Sequence, residues 1–73
     1  MLKFNNTLHQ KVGKRIQELR KEKNLSQQDL AAKCNFEKSN MSRLEAGGVN
    51  MTLSTMEKVS QALEVEMIEL FRF

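Results

Sequence analysis

The sequence predicts an all-α fold, a compact domain of five short helices, and three observations carry that expectation. Apolar residues recur at intervals of three and four along most of the 73 residues, and no segment sustains the period-two alternation of a half-buried strand. There is no proline to interrupt a helix. Residues that start helices (Thr7, Ser26, Thr52) and residues that stop them (Asn35, Gly47, Gly48) fall between the periodic stretches.

Thr7 and Gln10 have the capping-box spacing, and Leu8, Val12, Ile16 and Leu19 then share one face, so the first helix runs to about Asn24. Ser26 with Asp29 opens a short second helix whose apolar side holds Leu30, Ala31 and Cys34. Asn35 ends it, because asparagine tolerates the left-handed backbone that closes a helix. A third helix from about Lys38 to Ala46 turns Met41 and Leu44 inward and stops at Gly47-Gly48. Thr52 begins a fourth, with Leu53, Met56, Val59 or Ser60, and Leu63 in register. A last short helix contains Met67, Leu70 and Phe71.

One domain over residues 1–73 accommodates these elements, with residues 1–6 as a short N-terminal arm; a chain this small has room for one core only. With 40% apolar and 29% charged residues the composition is that of an ordinary globular protein, and no apolar run reaches the length of a membrane span. MLKFNNTLHQ lacks the features of a secretory signal, and the lone Cys34 can form no internal disulfide, so a reducing cytoplasm is the expected location. His9 has no second ligand at helical spacing, and no metal or cofactor is expected. Cys34, Met41, Met56 and Met67 read as core filling. A basic amphipathic first helix is also a membrane binder's pattern, but its apolar stripe is needed to cover the other helices.

Charge is distributed unevenly. Residues 1–25 carry seven bases and two acids, a net +5, whereas residues 52–73 carry two bases and four acids, a net −2. Such asymmetry steers a polyanion onto one end of a small protein.

The stretch LSQQDLAAKCNFEKSNMSRLEAG, Leu25 to Gly47, is a pair of short helices with none of the carboxylate, histidine or cysteine clusters that catalysis needs. A small residue, Ala31, suits a steep helix crossing, and Asn35 suits a tight turn. Leu-Ser-Gln at the start, Leu30-Ala31, Cys34, Asn35, Phe36, Met41, Leu44-Glu45 and Gly47 together resemble the helix-turn-helix of the phage-repressor and Cro type, the family of the xenobiotic-response-element regulators. With a basic helix before it and Thr52 to Leu70 after it, the resemblance covers nearly the whole chain. It implies a lambda-repressor-like DNA-binding domain whose third helix enters the major groove of double-stranded DNA, where each base pair shows its own donor and acceptor pattern.

Lys38, Ser39, Ser42 and Arg43 then stand as base-reading residues, of which Lys38, Ser39 and Arg43 match the family's positions; Arg43 suits a bidentate contact to guanine. Gln27 resembles the family's phosphate-binding glutamine at a helix N-terminus. Asn50 and the Thr52 hydroxyl are candidates for phosphate contacts on the other side. Arg20 and Glu45 match a pair that forms a salt bridge in this family and would orient the reading helix.

Three positions depart from the family pattern. Glu37 replaces the usual Ser or Thr helix cap and sets an acid near the phosphates, Asn35 replaces a turn glycine, and Met51 a proline. Leu70, Phe71 and Phe73 leave more apolar bulk at the C-terminal end than a small core absorbs, and family members commonly dimerise through the last helix, so a homodimer interface is expected there. The expected function is sequence-specific regulation of transcription by a bacterial or phage-encoded protein, not an enzyme. Two alternatives stay open on the same fold, an antitoxin that binds a toxin and a protein-interaction module that no longer binds DNA.

Overall fold

A computed structural model of the chain describes residues 7–73, all helix and connecting turns; the arm expected over residues 1–6 lies outside the described residues. Among the described residues four α-helices run in order: α1 (Thr7–Glu22), α2 (Gln27–Cys34), α3 (Lys38–Glu45) and α4 (Leu53–Leu63). The fifth element corrects the expectation of five α-helices, because Met67–Phe71 is a 3₁₀ helix. Its packing explains the geometry. Met67 and Leu70 both face the core, and three residues per turn superposes positions three apart, as their packing needs. The Glu69 N–H donates to the Glu66 carbonyl at 2.9 Å, the i→i+3 bond that defines such a turn.

Helix starts follow the capping residues. Ser26 Oγ accepts from the Asp29 N–H at 2.9 Å while an Asp29 carboxylate oxygen accepts from the Ser26 N–H at 3.0 Å, a complete capping box for α2. Those bonds hold the Asp29 carboxyl below its ordinary range, the Ser26 N–H contributing most. Thr52 Oγ1 accepts from the Thr55 N–H at 3.1 Å and caps α4.

Helix ends share one device. Asn24, Asn35 and Glu64 adopt left-handed backbone, at φ of 59°, 59° and 58°, just past α1, α2 and α4. In each case the next residue donates its N–H back across the last turn: Leu25 to Arg20, Phe36 to Ala31 and Val65 to Ser60. Leu25, Phe36 and Val65 are apolar and pack against the core, so each turn is closed by a hydrogen bond and a hydrophobic contact together. Gly47, at φ 82°, performs the same service for α3, with the Gly48 N–H donating to the Arg43 carbonyl at 2.8 Å.

A single apolar cluster joins Val12, Ile16 and Leu19 of α1 with Leu30, Ala31 and Cys34 of α2, Met41 and Leu44 of α3, Val59 and Leu63 of α4, and Leu70. α2 lies against α3 and α4, α1 runs behind α3, and the 3₁₀ helix closes the end formed by α1 and α4. Arg15 ties that closure, its Nε donating to the Glu69 carbonyl at 2.9 Å and its Nη2 to Glu69 Oε1 at 3.2 Å. Leu70 is fully buried inside the protomer, which removes it from the expected dimer interface. Leu8 and Leu53 depart from their stripes in the other direction: both lie in the first turns of their helices and both are exposed.

Candidate nucleic-acid interface

α3 has two unlike sides. Met41 and Leu44 enter the core, while Lys38, Ser39, Asn40, Ser42 and Arg43 are all exposed. An eight-residue helix with one buried and one fully polar side stands out from the surface, offering donors and acceptors over its whole length. Within that side Arg43 Nη2 donates to Asn40 Oδ1 at 2.5 Å, so the guanidinium is drawn along the helix toward Asn40. At the N-terminus Glu37 occupies the cap position with extended backbone but makes no side-chain cap bond. The first N–H groups of α3 are therefore left without the capping oxygen that α2 and α4 possess.

The C-terminal end of α3 is held firmly. Glu45 and Arg20 are each 7% exposed, and Arg20 Nε donates to Glu45 Oε2 at 2.7 Å while Nη2 donates to Oε1 at 3.1 Å. The remaining guanidinium nitrogen, Nη1, donates to the Leu25 carbonyl at 2.8 Å. Gln27, the first residue of α2, donates from Nε2 to Glu45 Oε1 at 3.0 Å. Arg20, Glu45 and Gln27 thus form one network linking α1, the start of α2 and the end of α3. Both carboxylate oxygens are satisfied, the condition under which a buried ion pair is tolerated.

Gly13 was given no role by the sequence reading, yet it completes this end. A Cβ at Gly13 would lie 2.5 Å from the Glu45 carbonyl oxygen and 2.6 Å from that of Leu44, so α1 and the last turn of α3 meet backbone to backbone. The available signal was a glycine inside a strongly periodic helix, on the face shared with Ile16 and Arg20. Gly47 makes a similar approach, since a Cβ there would meet the Gln10 backbone at 2.7 Å.

Beyond α3, Gly47, Gly48, Val49 and Asn50 line a shallow depression, with Asn50 exposed. The Thr52 hydroxyl is engaged in the α4 cap and also lies 3.1 Å from Thr55 Oγ1. Gln27 begins the helix pair as the first residue of α2, and Asn50 lies in the turn after α3, beyond its other end. Cys34 is buried with Sγ 3.9 Å from the Lys58 carbonyl, and desolvation pushes its thiol pKa up. Among the described residues there is no group of three or more His, Cys, Asp or Glu arranged to hold a metal, and no helix is long and apolar enough to cross a membrane.

At the far end, Phe71 is 41% and Phe73 59% exposed, and Lys11 Nζ sits 5.6 Å from the Phe73 ring centre. Ile68, unremarked in the sequence, is 63% exposed; in a 3₁₀ helix positions three apart eclipse, which puts Ile68 and Phe71 on the same outer side. Phe71 also borders an apolar cleft with Leu8, Val12, Met51 and Met56.

Comparison with known proteins gives this fold a family. Residues 15–73 match the family described as the Cro/C1-type HTH DNA-binding domain. The immunity repressor protein of Bacillus phage phi105 is 41% identical over 56 residues, which is 77% of this chain and 39% of that repressor. The chain therefore spans well under half of the repressor's length. Control protein C.MunI from Mycoplasma sp is 36% identical over 67 residues, 90% of each chain. Among solved structures, the restriction-modification controller protein C.AhdI from Aeromonas hydrophila superposes with a TM-score of 0.82 at 39% identity, covering 85% of this chain and 94% of that one.

Proposed function

We propose that this chain, which belongs to the Cro/C1-type helix-turn-helix DNA-binding family, regulates transcription by seating α3 in the major groove of a specific operator. The observation that carries this reading is the contrast within α3, a wholly exposed polar side on a helix whose C-terminal end is locked by the buried Arg20–Glu45 pair. A helix presented in that way keeps its side chains in register with base edges, and the family supplies the target class. In this reading Lys38, Ser39, Ser42 and Arg43 meet bases, while Gln27, Asn50 and Thr52 meet phosphates on either side. Thr52 acts there through its hydroxyl hydrogen, its oxygen being occupied by the Thr55 N–H. Base contacts specify and phosphate contacts fix register.

The exposed apolar bulk of Ile68, Phe71 and Phe73 supports a homodimer in this reading. Two copies joined there would present two reading helices about 34 Å apart, the spacing of one DNA turn. Such a protein works in the cytoplasm, where bacterial and phage promoters are. The relatives named above suggest two settings, phage immunity and control of restriction-modification genes. The extent of the C.AhdI match favours the second. Nothing in those relatives points to a toxin partner, and none is proposed.

Selection from a pool of random duplexes at moderate salt tests the reading. A short inverted repeat should be enriched, its symmetry reporting a dimer. Enrichment of no sequence would refute operator recognition, and enrichment of an asymmetric single site would refute the dimer while keeping the DNA-reading role.

A further inference from the structure

The Arg20–Glu45–Gln27 network holds an asymmetry that the fold alone does not require. Glu45 Oε2 is satisfied by Arg20 Nε, yet Oε1 accepts twice, from Arg20 Nη2 at 3.1 Å and from Gln27 Nε2 at 3.0 Å. The pair would be bidentate and complete without the glutamine. We propose that Glu45 is a positioning residue for the phosphate contact, holding the Gln27 amide so that its second N–H faces outward to the DNA backbone.

The chemistry leaves the amide one orientation. A carboxylate only accepts hydrogen bonds, so the amide must turn its NH₂ group toward Glu45; the flipped amide would set its oxygen against Glu45 Oε1. One Nε2 proton is then bonded inward and the other is free. Gln27 is half-buried at the first position of α2, where helix N–H groups also point outward, so the free proton joins an array of donors. Arg20 has two parts in this. It neutralises Glu45, without which the carboxylate would repel a phosphate brought to Gln27, and its Nη1 bond to the Leu25 carbonyl fixes the turn leading into α2. An amide aimed before binding loses less rotamer freedom on contact than a free one. Because the same carboxylate anchors the last turn of α3, the phosphate grip and the base-reading helix are set by one residue.

This inference rests on the DNA-binding reading, and its test separates the two. Nitrogen-15 spectra of the whole chain without DNA report the two Nε2 protons of Gln27: one should exchange slowly with water and the other freely. Adding an enriched duplex should shift mainly the free proton. In parallel, affinities for the enriched duplex and for an unrelated duplex are measured for Gln27→Ala, Glu45→Gln and the double variant. Gln27→Ala should weaken both duplexes alike, by roughly tenfold for loss of a hydrogen bond to a charged group; Glu45→Gln should weaken the unrelated duplex by a similar factor and the enriched one at least as much, and on the unrelated duplex the double variant should be no weaker than the worse single one. Independent, multiplying losses overturn the proposal, as does a Glu45→Gln effect confined to the enriched duplex. Should Glu45→Gln fail to fold, equal and fast exchange of both Gln27 protons in the wild type overturns it as well. Failure of the wild type to bind any duplex instead sinks the DNA-binding reading.

Discussion

The two halves of α3 are surrounded by different things. The C-terminal half is anchored along its inner side, with Leu44 in the core, Glu45 in a buried network and backbone carbonyls against Gly13, while Ser42 and Arg43 on its outer side stay exposed. The N-terminal half buries only Met41, begins at a residue that does not cap it, and offers Lys38, Ser39 and Asn40 to solvent. One helix thus has a fixed root and an open tip. The arrangement separates two demands that conflict in a single residue, because a side chain buried to hold a fold cannot also meet a base. Substitutions of the buried root residues are expected to act first on stability, Glu45 reaching binding through Gln27, and substitutions of the exposed residues on binding alone.

The largest effect belongs to the root. Arg20→Ala leaves Glu45 buried without its charge partner and strips the Leu25 carbonyl of its donor, so the loss in folding free energy should be about 3–5 kcal/mol. For a small domain that is a large part of the total. Chemical denaturation of the variant checks it. A loss below about 1 kcal/mol, the range of an exposed pair, would mean that water reaches Glu45 and that the root is looser than its burial implies.

The same division governs what could be read from the sequence. Features set within a few residues were legible: the Ser26–Asp29 capping box, the left-handed Asn35 and the core positions Ile16, Leu30, Met41 and Leu63 all follow from local spacing. Features set by distant partners were not. Periodicity puts Leu8 and Leu53 on apolar stripes, but whether another element reaches a helix's first turn is decided by the fold. Leu70 looked surplus because nothing local reveals that α1 and α4 leave room for it, and Met67–Phe71 looked α-helical because a five-residue segment carries too little pattern to separate a three-residue period from 3.6. The hydrogen bond between Gln27 and Glu45 spans 18 residues, and family likeness suggested a role for each residue without joining them.

On the exposed side of the helix, Arg43→Ala should leave stability nearly unchanged although it adjoins the root, since the side chain is exposed and its bond to Asn40 is in solvent. Operator binding should fall by about 1–3 kcal/mol per half-site, with preference relaxed at one base pair. Affinity across a set of singly substituted operators measures both. Equal loss on every sequence would make Arg43 a phosphate contact and move the boundary between reading and anchoring residues along the helix. A large fall in thermal stability would dissolve the distinction between root and tip.

The smallest effect tests why the tip begins without a cap. Ser26 and Glu37 start neighbouring helices with similar extended backbone, at φ −77° and −75°, but only Ser26 bonds the first turn. Glu37→Ser would supply a capping oxygen, a gain of about 1 kcal/mol, while losing the favourable attraction of a carboxylate to the helix N-terminus, about 0.3–1 kcal/mol. The two nearly offset, so the net stabilisation should stay below about 1 kcal/mol. DNA binding is the more telling readout. Removing a negative charge beside the groove should tighten binding to unrelated duplexes at low salt, the gain shrinking as salt rises and screens the repulsion. If Glu37 instead accepts a hydrogen bond from a cytosine amino group, Glu37→Ser should weaken the enriched operator while tightening unrelated DNA, and the ratio of the two affinities should fall. The unmet cap would then be the cost of placing an acceptor in the groove. A uniform gain on all duplexes would leave Glu37 as a brake on non-specific binding.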